Sequence, residues 1–272
     1  PQRLLSSKLR FFIETLRANM RHAGALRIDH VMGLMRLYWI PPEGGATRGA
    51  YVHYPLQELM AVVAVESQRN RCMVIGEDLG TVADEVRAAL AEAEVLSYRL
   101  LYFERGEGGT FKAPDEYPRA ALVAVSTHDL PTLAGWWNGH DLQVRKGLGL
   151  YPEDAVYEEQ LVARAQEKYR LLLALRHAEL LPPDVSIDLA HPPPLTQPLV
   201  EAVHAYMART PSWVLMVQLE DALGVLDQPN LPGTVNEHPN WRQKLPLPLD
   251  ALVADERVLS LSGVLARLRP HA

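Results

Sequence analysis

Three carboxylates of the chain each follow a short apolar segment, at the place where a buried strand would end. They are Asp29, Glu77 and Asp129, spaced 48 and 52 residues apart. Hydrolysis or transfer of a glycosidic bond needs one carboxylate as nucleophile and one carboxylic acid as proton donor on either side of an acetal. A single acid after a strand is commonly a helix cap or a solvated charge. Three in succession predict a two-carboxylate site with a third acid as helper.

The neighbours of these acids strengthen the prediction. Arg27 stands two residues before Asp29, so both side chains point to the same side of a strand. A guanidinium there favours the ionised carboxylate that a nucleophile requires. Glycines on both sides of Glu77 are expected to give a bulky substrate access to the backbone. His128 precedes Asp129, and this pair can hydrogen-bond the vicinal hydroxyls of a sugar.

Apolar strands separated by helical patterns predict a parallel α/β sheet that is covered on both faces. Because Asp29, Glu77, Asp129 and Glu220 all come at predicted strand ends, the pattern favours a (β/α) barrel, whose sites lie at the C-terminal ends of its strands. A doubly wound sheet that binds dinucleotides would show G-x-G-x-x-G after its first strand, and the sequence has none. The predicted strands cover residues 25–29, 72–76, 95–103, 121–125 and 213–219.

Other local patterns predict the elements between the strands. Residues 41–49 are rich in Pro and Gly and predict a loop, and Thr81 with Asp84 predicts a capping box for a helix that ends near residue 93. A long helix is expected over residues 154–180, and terminal helices are expected after residue 250. The pair His140 and Asp141 follows Asn-Gly and is interpreted as a surface turn. Trp136 and Trp137 are interpreted as packing residues.

Composition excludes several classes of protein. The 272 residues carry 27 Lys and Arg against 33 Asp and Glu, a net charge of −6, which argues against a nucleic-acid partner. A lone cysteine, Cys72, rules out an internal disulfide and a cysteine-rich zinc site. No run of about 18 apolar residues occurs, so no membrane-spanning segment is predicted. The expected compartment is the cytoplasm.

Seven segments, in order and spread over most of the chain, resemble one enzyme family. This family is glycoside hydrolase family 77, the 4-α-glucanotransferases called amylomaltases or disproportionating enzymes. The segments are ALRIDH at 25–30, LYWIP at 37–41, GAYVHYP at 49–55, VIGEDLGT at 74–81, STHDLPT at 126–132, GWW at 135–137 and LPGTVNEHPNWR at 231–242. The last of these is the most specific.

The resemblance implies roles for named residues. Asp29 would be the nucleophile, Glu77 the acid/base, and Asp129 the residue that grips the distorted sugar ring in the transition state. The implied reaction moves α-1,4-glucan segments between maltooligosaccharides with retention, through a covalent glycosyl-enzyme, and uses neither a metal nor another cofactor. The substrate-binding residues that it implies are Arg27, His30, His128 and Asn236.

The same resemblance makes the strand at residue 25 the fourth strand of a TIM (β/α)₈ barrel. Residues 1–272 would then form the C-terminal part, about strands four to eight with terminal helices, of a single catalytic barrel domain. The first three strands would lie outside this chain. Such a half-barrel exposes two sheet edges, which predicts self-association or association with the missing N-terminal part.

Three other interpretations stay open at this point. A related hydrolase of the α-amylase superfamily would share the three acids and transfer the glycosyl group to water. A catalytically incomplete fragment would bind glucan without turning it over. A metal-dependent barrel hydrolase would use His30, His53 and His128 as ligands, although the H-x-H pair typical of such barrels does not occur in the sequence.

Overall fold

The computed structural model describes residues 1–270, which form two compact units. The first unit contains residues 1–98 and 120–122, and the second contains residues 99–119 and the chain from Val123 onward. Helices and strands alternate through much of both, so the α/β class predicted from the sequence is confirmed. No helix within the described residues has the length and apolarity needed to cross a membrane.

The first unit is built on two parallel strands, β1 (Ala25–Ile28) and β4 (Met73–Gly76), which pair along their whole lengths. Leu96 adds a parallel bridge to Ile75 on the other side of β4. The connections between parallel strands must cross over, and helices supply that crossing and cover the apolar faces. The helices of this unit are α1 (Gln2–Ser6), α2 (Arg10–Met20), α3 (Leu56–Asn70) and α4 (Asp84–Glu92).

The core of the first unit forms where these helices meet the sheet. The cluster includes Leu16 and Met20 of α2, Val63 of α3, Val74 of β4 and Leu90 of α4. Cys72 belongs to the same cluster, is 1% exposed and is a free thiol, as predicted.

The glycine before Glu77 has a packing role. A Cβ atom at Gly76 would lie 3.1 Å from a methyl group of Val31 and 3.2 Å from one of Leu90. Space beside Gly76 is therefore filled by the protein's own side chains. The expectation that this glycine gives a substrate access to the backbone is wrong.

An antiparallel hairpin interrupts the parallel arrangement. Its strands are β2 (Arg36–Trp39) and β3 (Ala50–His53), and Trp39 pairs with Ala50. The Pro- and Gly-rich segment predicted as a loop is the turn of this hairpin. The flanking strands were not predicted because each has only four residues and both are largely exposed, so neither shows a buried apolar run.

The second sheet has three strands in the order β5 (Ser97–Leu100), β6 (Ala121–Ala124) and β7 (Val214–Leu215). Trp213 N–H donates to the Arg119 carbonyl and Met216 N–H to the Val123 carbonyl, so β7 runs parallel to β6. The helices that follow β6 are α5 (Leu133–Asn138), α6 (His140–Gly147), α7 (Asp154–His177), α8 (Gln197–Ala208), α9 (Leu219–Leu223), α10 (Leu249–Leu252) and α11 (Glu256–Leu268).

Several local predictions for elements need correction. The strand predicted over 213–219 has only two residues, and Glu220 lies in α9 instead of at a strand end. Helix α4 begins at Asp84 after Ala83, with no side-chain cap from Thr81. The surface turn predicted at His140 and Asp141 is wrong, because both residues lie in α6 and Asp141 is buried, where it pairs with Arg164 at 2.8 Å. The expected terminal helices after residue 250 are present.

Candidate active site

Asp29 directly follows the last residue of β1 and is held by Arg27. The alternation of side chains along the strand places both on one side, and Nη2 of Arg27 lies 2.8 Å from Oδ1 of Asp29. The Arg27 guanidinium also lies 5.6 Å from the ring centre of Tyr98. Burial raises the pKa of the Tyr98 phenol, so this ring stays neutral beside the cation. The Asp29 side chain is 60% exposed, so the arginine orients a carboxylate that solvent can reach.

Glu77 directly follows β4 and is positioned differently. Its side chain is 6% exposed, and each carboxylate oxygen accepts a backbone N–H bond. The donors are His30 at 2.9 Å to Oε2 and Leu79 at 2.8 Å to Oε1. His30 has a left-handed backbone conformation with φ of 44°, and in this conformation its N–H donates to Glu77. The carboxylate is therefore fixed in place by two segments of main chain.

The two carboxylates lie close together, with His30 beside both. One oxygen of Asp29, one of Glu77 and one ring nitrogen of His30 all lie within 4.8 Å of one another. Nε2 of His30 is 3.7 Å from Oδ2 of Asp29, and its Nδ1 is 3.7 Å from Oε2 of Glu77. Retaining glycosidases have carboxyl groups about 5 to 5.5 Å apart, and inverting enzymes about 6.5 to 9.5 Å. The nearest oxygens of Asp29 and Glu77 are thus slightly closer than the retaining range and far from the inverting range.

The same three groups could offer ligand atoms to a metal ion. Arg27, however, places a positive charge 2.8 Å from Asp29, and that charge opposes a second cation at this carboxylate. The arrangement is better suited to acid, base and nucleophile chemistry.

Asp129 belongs to the second unit and is the centre of a separate polar cluster. Its Oδ1 accepts a 2.6 Å hydrogen bond from the side-chain amide of Asn230, and its Oδ2 lies 3.3 Å from Nε2 of His128. The Asn230 carbonyl and the Asp129 carbonyl both accept bonds from the Gln228 side chain, at 2.6 and 3.3 Å. The carboxylate is held by neighbours on both oxygens and stays about half exposed.

Asp129 does not cap the helix that follows it. Helix α5 begins at Leu133, and the cap is Thr132, whose Oγ1 accepts the Gly135 N–H at 3.0 Å. The Thr132 hydroxyl also donates to the Val225 carbonyl. Because Thr132 caps the helix, the carboxylate of Asp129 is available for another role.

An aromatic ring missed by the sequence prediction lies beside this cluster. The rings of Trp241 and His128 are 5.2 Å apart at 44°, and the Trp241 side chain is largely exposed. Trp241 N–H donates to the Pro229 carbonyl and fixes the segment next to Asn230. An exposed ring beside hydrogen-bonding groups suits the mixed apolar and polar surface of a sugar. Only its place in the specific segment 231–242 signalled this tryptophan.

The predicted contact residue Asn236 lies in a loop that other residues shape. Oε2 of Glu237 accepts the N–H groups of Val235 and Asn236, and these bonds lower the pKa of Glu237. The Asn240 side chain accepts the Leu231 N–H and donates to the Thr234 hydroxyl. The amide that bonds Asp129 is that of Asn230, which precedes the recognised segment and was therefore missed.

Trp136 and Trp137 are packing residues, as predicted. They are 3% and 2% exposed. Trp136 stacks on Tyr102 at 5.2 Å, and the Trp137 indole donates to the Pro193 carbonyl.

Known proteins resemble this chain over nearly its whole length. A family model described as 4-alpha-glucanotransferase matches residues 1–249. A 4-alpha-glucanotransferase of Haemophilus influenzae is 44% identical over 245 residues, covering 90% of this chain and 35% of the relative. One of Mycobacterium tuberculosis is 37% identical over 272 residues, covering 96% and 36%.

A solved structure agrees with these sequence matches. The crystal structure of amylomaltase from Corynebacterium glutamicum superimposes with a TM-score of 0.89 at 29% identity, covering 97% of this chain and 39% of the other. The chain thus spans little more than a third of the length of these relatives.

Proposed function

The chain belongs to the 4-alpha-glucanotransferase family, glycoside hydrolase family 77, and we propose that it carries the catalytic acids for transfer of α-1,4-glucan segments between maltooligosaccharides. The observation that carries the proposal is the pair Asp29 and Glu77, with oxygens within 4.8 Å and contrasting surroundings. Asp29 is exposed and bound to an arginine, whereas Glu77 is buried and fixed by main-chain N–H groups.

The first half of the reaction breaks the donor bond. A carboxylate oxygen of Asp29 attacks the anomeric carbon, and Glu77 in its acid form gives its proton to the departing glycosidic oxygen. The products are a glycosyl ester on Asp29, a shortened glucan with a free 4-hydroxyl, and ionised Glu77. Arg27, which holds the other oxygen of Asp29, orients the attack.

The second half reverses these steps with a new acceptor. Glu77 takes the proton of the acceptor 4-hydroxyl, the resulting oxygen attacks the anomeric carbon, and Asp29 leaves as a carboxylate. Two inversions at one carbon give net retention of the α configuration. Neither a metal nor a nicotinamide is part of this scheme.

The role proposed for Asp129 is selective binding of the transition state. A carboxylate that accepts bonds from the 2- and 3-hydroxyls of the sugar binds more strongly as the ring flattens toward an oxocarbenium ion. The fixed orientation of Asp129 by Asn230 and His128 supports this role. His30, His128 and Asn236 complete the proposed set of substrate-binding residues.

The finer architecture belongs to the same proposal. Strands β1, β4, β5, β6 and β7 correspond to barrel strands four to eight, and residues 1–272 form the C-terminal part of one catalytic domain. We place the protein in the cytoplasm, with glucan donors and acceptors as its substrates. The N-terminal part of the barrel, or a second copy of this chain, would cover the open sheet edges.

Incubation with maltotriose tests the reaction class. The natural full-length polypeptide that contains this chain should convert maltotriose into glucose and a ladder of longer and shorter maltooligosaccharides. Glu77→Gln and Asp29→Asn should each abolish the ladder. Formation of glucose and maltose alone would establish a hydrolase of the related superfamily and reject the transferase.

The fragment hypothesis needs a separate measurement. The 272-residue chain alone is assayed with maltotriose, and its mass is measured by analytical ultracentrifugation. Our proposal expects catalysis only when the N-terminal part is supplied. Turnover by the isolated monomer would contradict the requirement for that part, and glucan binding without turnover by the full-length polypeptide would support a binding protein.

A further inference from the structure

Two titratable side chains of the second unit are buried together and have no part in the proposed reaction. His204 lies on α8 and Asp221 on α9, and each is 1% exposed. Nε2 of His204 is 3.7 Å from Oδ2 of Asp221. Fully buried ionisable groups are unusual unless they are paired or neutral, so the charge state of this pair needs a physical account.

The hydrogen bonds of each group show which of its atoms are already occupied. Nδ1 of His204 lies 2.8 Å from the Val200 carbonyl, which can only accept, so Nδ1 carries a hydrogen. In the neutral ring Nε2 is then an acceptor. Oδ1 of Asp221 accepts the Leu133 N–H at 2.6 Å. Among the described residues, neither Nε2 nor Oδ2 has a hydrogen-bond partner.

The distance between the two remaining atoms argues against an ion pair. An imidazolium and a carboxylate would close to about 2.7–2.9 Å, the length of a charge-assisted bond. They remain 3.7 Å apart. If neither group held the shared proton, a lone pair of Nε2 would face an ionised oxygen in a buried site, which is unfavourable. A neutral carboxyl group beside a neutral imidazole removes both buried charges and places a donor on Oδ2 opposite the acceptor Nε2, in contact at 3.7 Å without a hydrogen bond of normal length.

The surroundings supply little positive charge to Asp221. The groups near it are the phenol of Tyr102, which is also buried, and the carboxylate of Glu220 on the same helix. From α11, Arg257 is directed to the Leu223 carbonyl and to Asp255. Burial first, and then the charge of Glu220, raise the pKa of Asp221 to about 7, and burial lowers the pKa of His204.

We propose that this pair holds a single proton, bonded to Oδ2 of Asp221 and directed toward Nε2 of His204, and that neutral Asp221 is a positioning residue for Asp129. Its other oxygen anchors the N–H of Leu133, the first residue of α5. Thr132, immediately before, is bonded to the Val225 carbonyl. These two ties fix the end of the segment that carries Asp129. The catalytic part of the inference rests on the proposed function.

The charge state has a measurable consequence for unfolding. The unfolded pair also holds one proton between about pH 4 and 6.5, on histidine, so the pair adds no pH dependence there. In Asp221→Asn the folded pair holds none while the unfolded histidine still holds one. The stability of this variant relative to wild type must therefore rise with pH up to about pH 7.

The experiment is urea denaturation of the 272-residue wild type and Asp221→Asn from pH 4.5 to 8. We expect the midpoint of the variant to rise relative to wild type up to about pH 7, and to equal or exceed it at pH 8, because an amide imitates the neutral carboxyl group. A pH-independent difference would mean that folded Asp221 is ionised. A strong loss at pH 8 would mean an ion pair, and either result overturns the proposal. Asp141→Asn, at a buried acid that is paired with Arg164, is the control and should destabilise throughout.

Two further readouts separate charge from position. The ¹⁵N NMR chemical shifts of the His204 ring at pH 6 should show a neutral ring with hydrogen on Nδ1, and a doubly protonated ring would overturn the neutral pair.

Asp221→Ala should speed hydrogen exchange at the Leu133 amide and, in the full-length polypeptide, lower kcat at least tenfold with little change in KM. Asp221→Asn should keep the Leu133 exchange rate and kcat close to their wild-type values. An unchanged exchange rate of the Leu133 amide in Asp221→Ala would refute the positioning role. Inactivity of the wild-type full-length polypeptide would refute only the proposed function.

Discussion

The side-chain amide of Asn230 donates a 2.6 Å hydrogen bond to Oδ1 of Asp129, across about a hundred residues of sequence. The bond occupies one oxygen of the carboxylate, while His128 lies beside the other. Because a hydrogen bond to a charged acceptor is shorter and stronger than a neutral one, it restricts the rotation of the Asp129 side chain. Asp129 is therefore held in one orientation without any bound ligand.

Replacement of this amide tests how much that orientation contributes. Asn230→Ala should lower kcat of the full-length polypeptide by about 10- to 100-fold, about 1.4 to 2.7 kcal/mol of transition-state stabilisation, with a smaller change in KM. Steady-state kinetics measure both constants. Asn236→Ala, in the adjoining exposed loop, is the matched comparison and should have a smaller effect on kcat. Equal effects would mean that the bond to Asp129 has no special role.

Asp129 itself should be required for turnover and not for folding. Asp129→Asn should lower kcat by about 10³ or more while the melting temperature changes little, because Thr132 provides the helix cap. Thr132→Ala, by contrast, should cost about 1 to 3 kcal/mol of stability through loss of that cap and of the bond to the Val225 carbonyl. Thermal melting and kinetics on the two variants separate the roles. Near-normal turnover of Asp129→Asn would remove this residue from the site.

Arg27 is expected to act through orientation of the nucleophile. Its ion pair with Asp29 is partly exposed, so its contribution to stability is about 1 kcal/mol or less. Arg27→Ala should therefore unfold at nearly the wild-type urea concentration and yet lose at least tenfold in kcat. Arg27→Lys should recover little, since an ammonium cannot reproduce the geometry of the guanidinium. Recovery by lysine would mean that charge alone matters.

The buried pair Arg164 and Asp141 should dominate the stability of its region. Two guanidinium nitrogens lie 2.8 and 2.9 Å from the two oxygens of Asp141, and Arg164 also donates to the Trp136 carbonyl. Arg164→Ala leaves a buried carboxylate alone and should cost about 3–5 kcal/mol by urea denaturation. Arg10→Ala, which breaks an exposed pair with Glu14, is the control and should leave the midpoint unchanged.

The pH dependence of the first unit should depend on Glu66. Hydrogen bonds from Arg17, and then from Arg69, lower the pKa of this buried carboxyl below its ordinary value of 4.5. A lowered folded-state pKa gives stability that is present above pH 4.5 and lost as the pH falls through the folded value. Glu66→Gln should therefore flatten the acid limb of stability against pH. An unchanged acid limb in this variant would contradict the prediction.

The sequence by itself determined where an acidic residue directly follows a strand. Asp29 and Glu77 follow β1 and β4 directly, and a run of apolar residues is enough to locate each strand. The expected burial holds for β4, whereas the residues of β1 alternate between exposed and half-buried, so burial on both faces was wrong for this strand. The specific segments, which need only residue identity, were enough to indicate the family. Weakly buried strands such as β2 and β3 left no such pattern and were missed.

Only the tertiary structure decided which groups meet. His30 donates its N–H to Glu77, Asn230 holds Asp129, and Asp141 pairs with Arg164. The partners in these contacts are 47, 101 and 23 residues apart in the sequence. Periodicity reports how a residue faces its own element and carries no information on partners so far along the chain. The partner of a polar group is set by how packed elements meet, since a buried donor or acceptor must be satisfied wherever the fold places it.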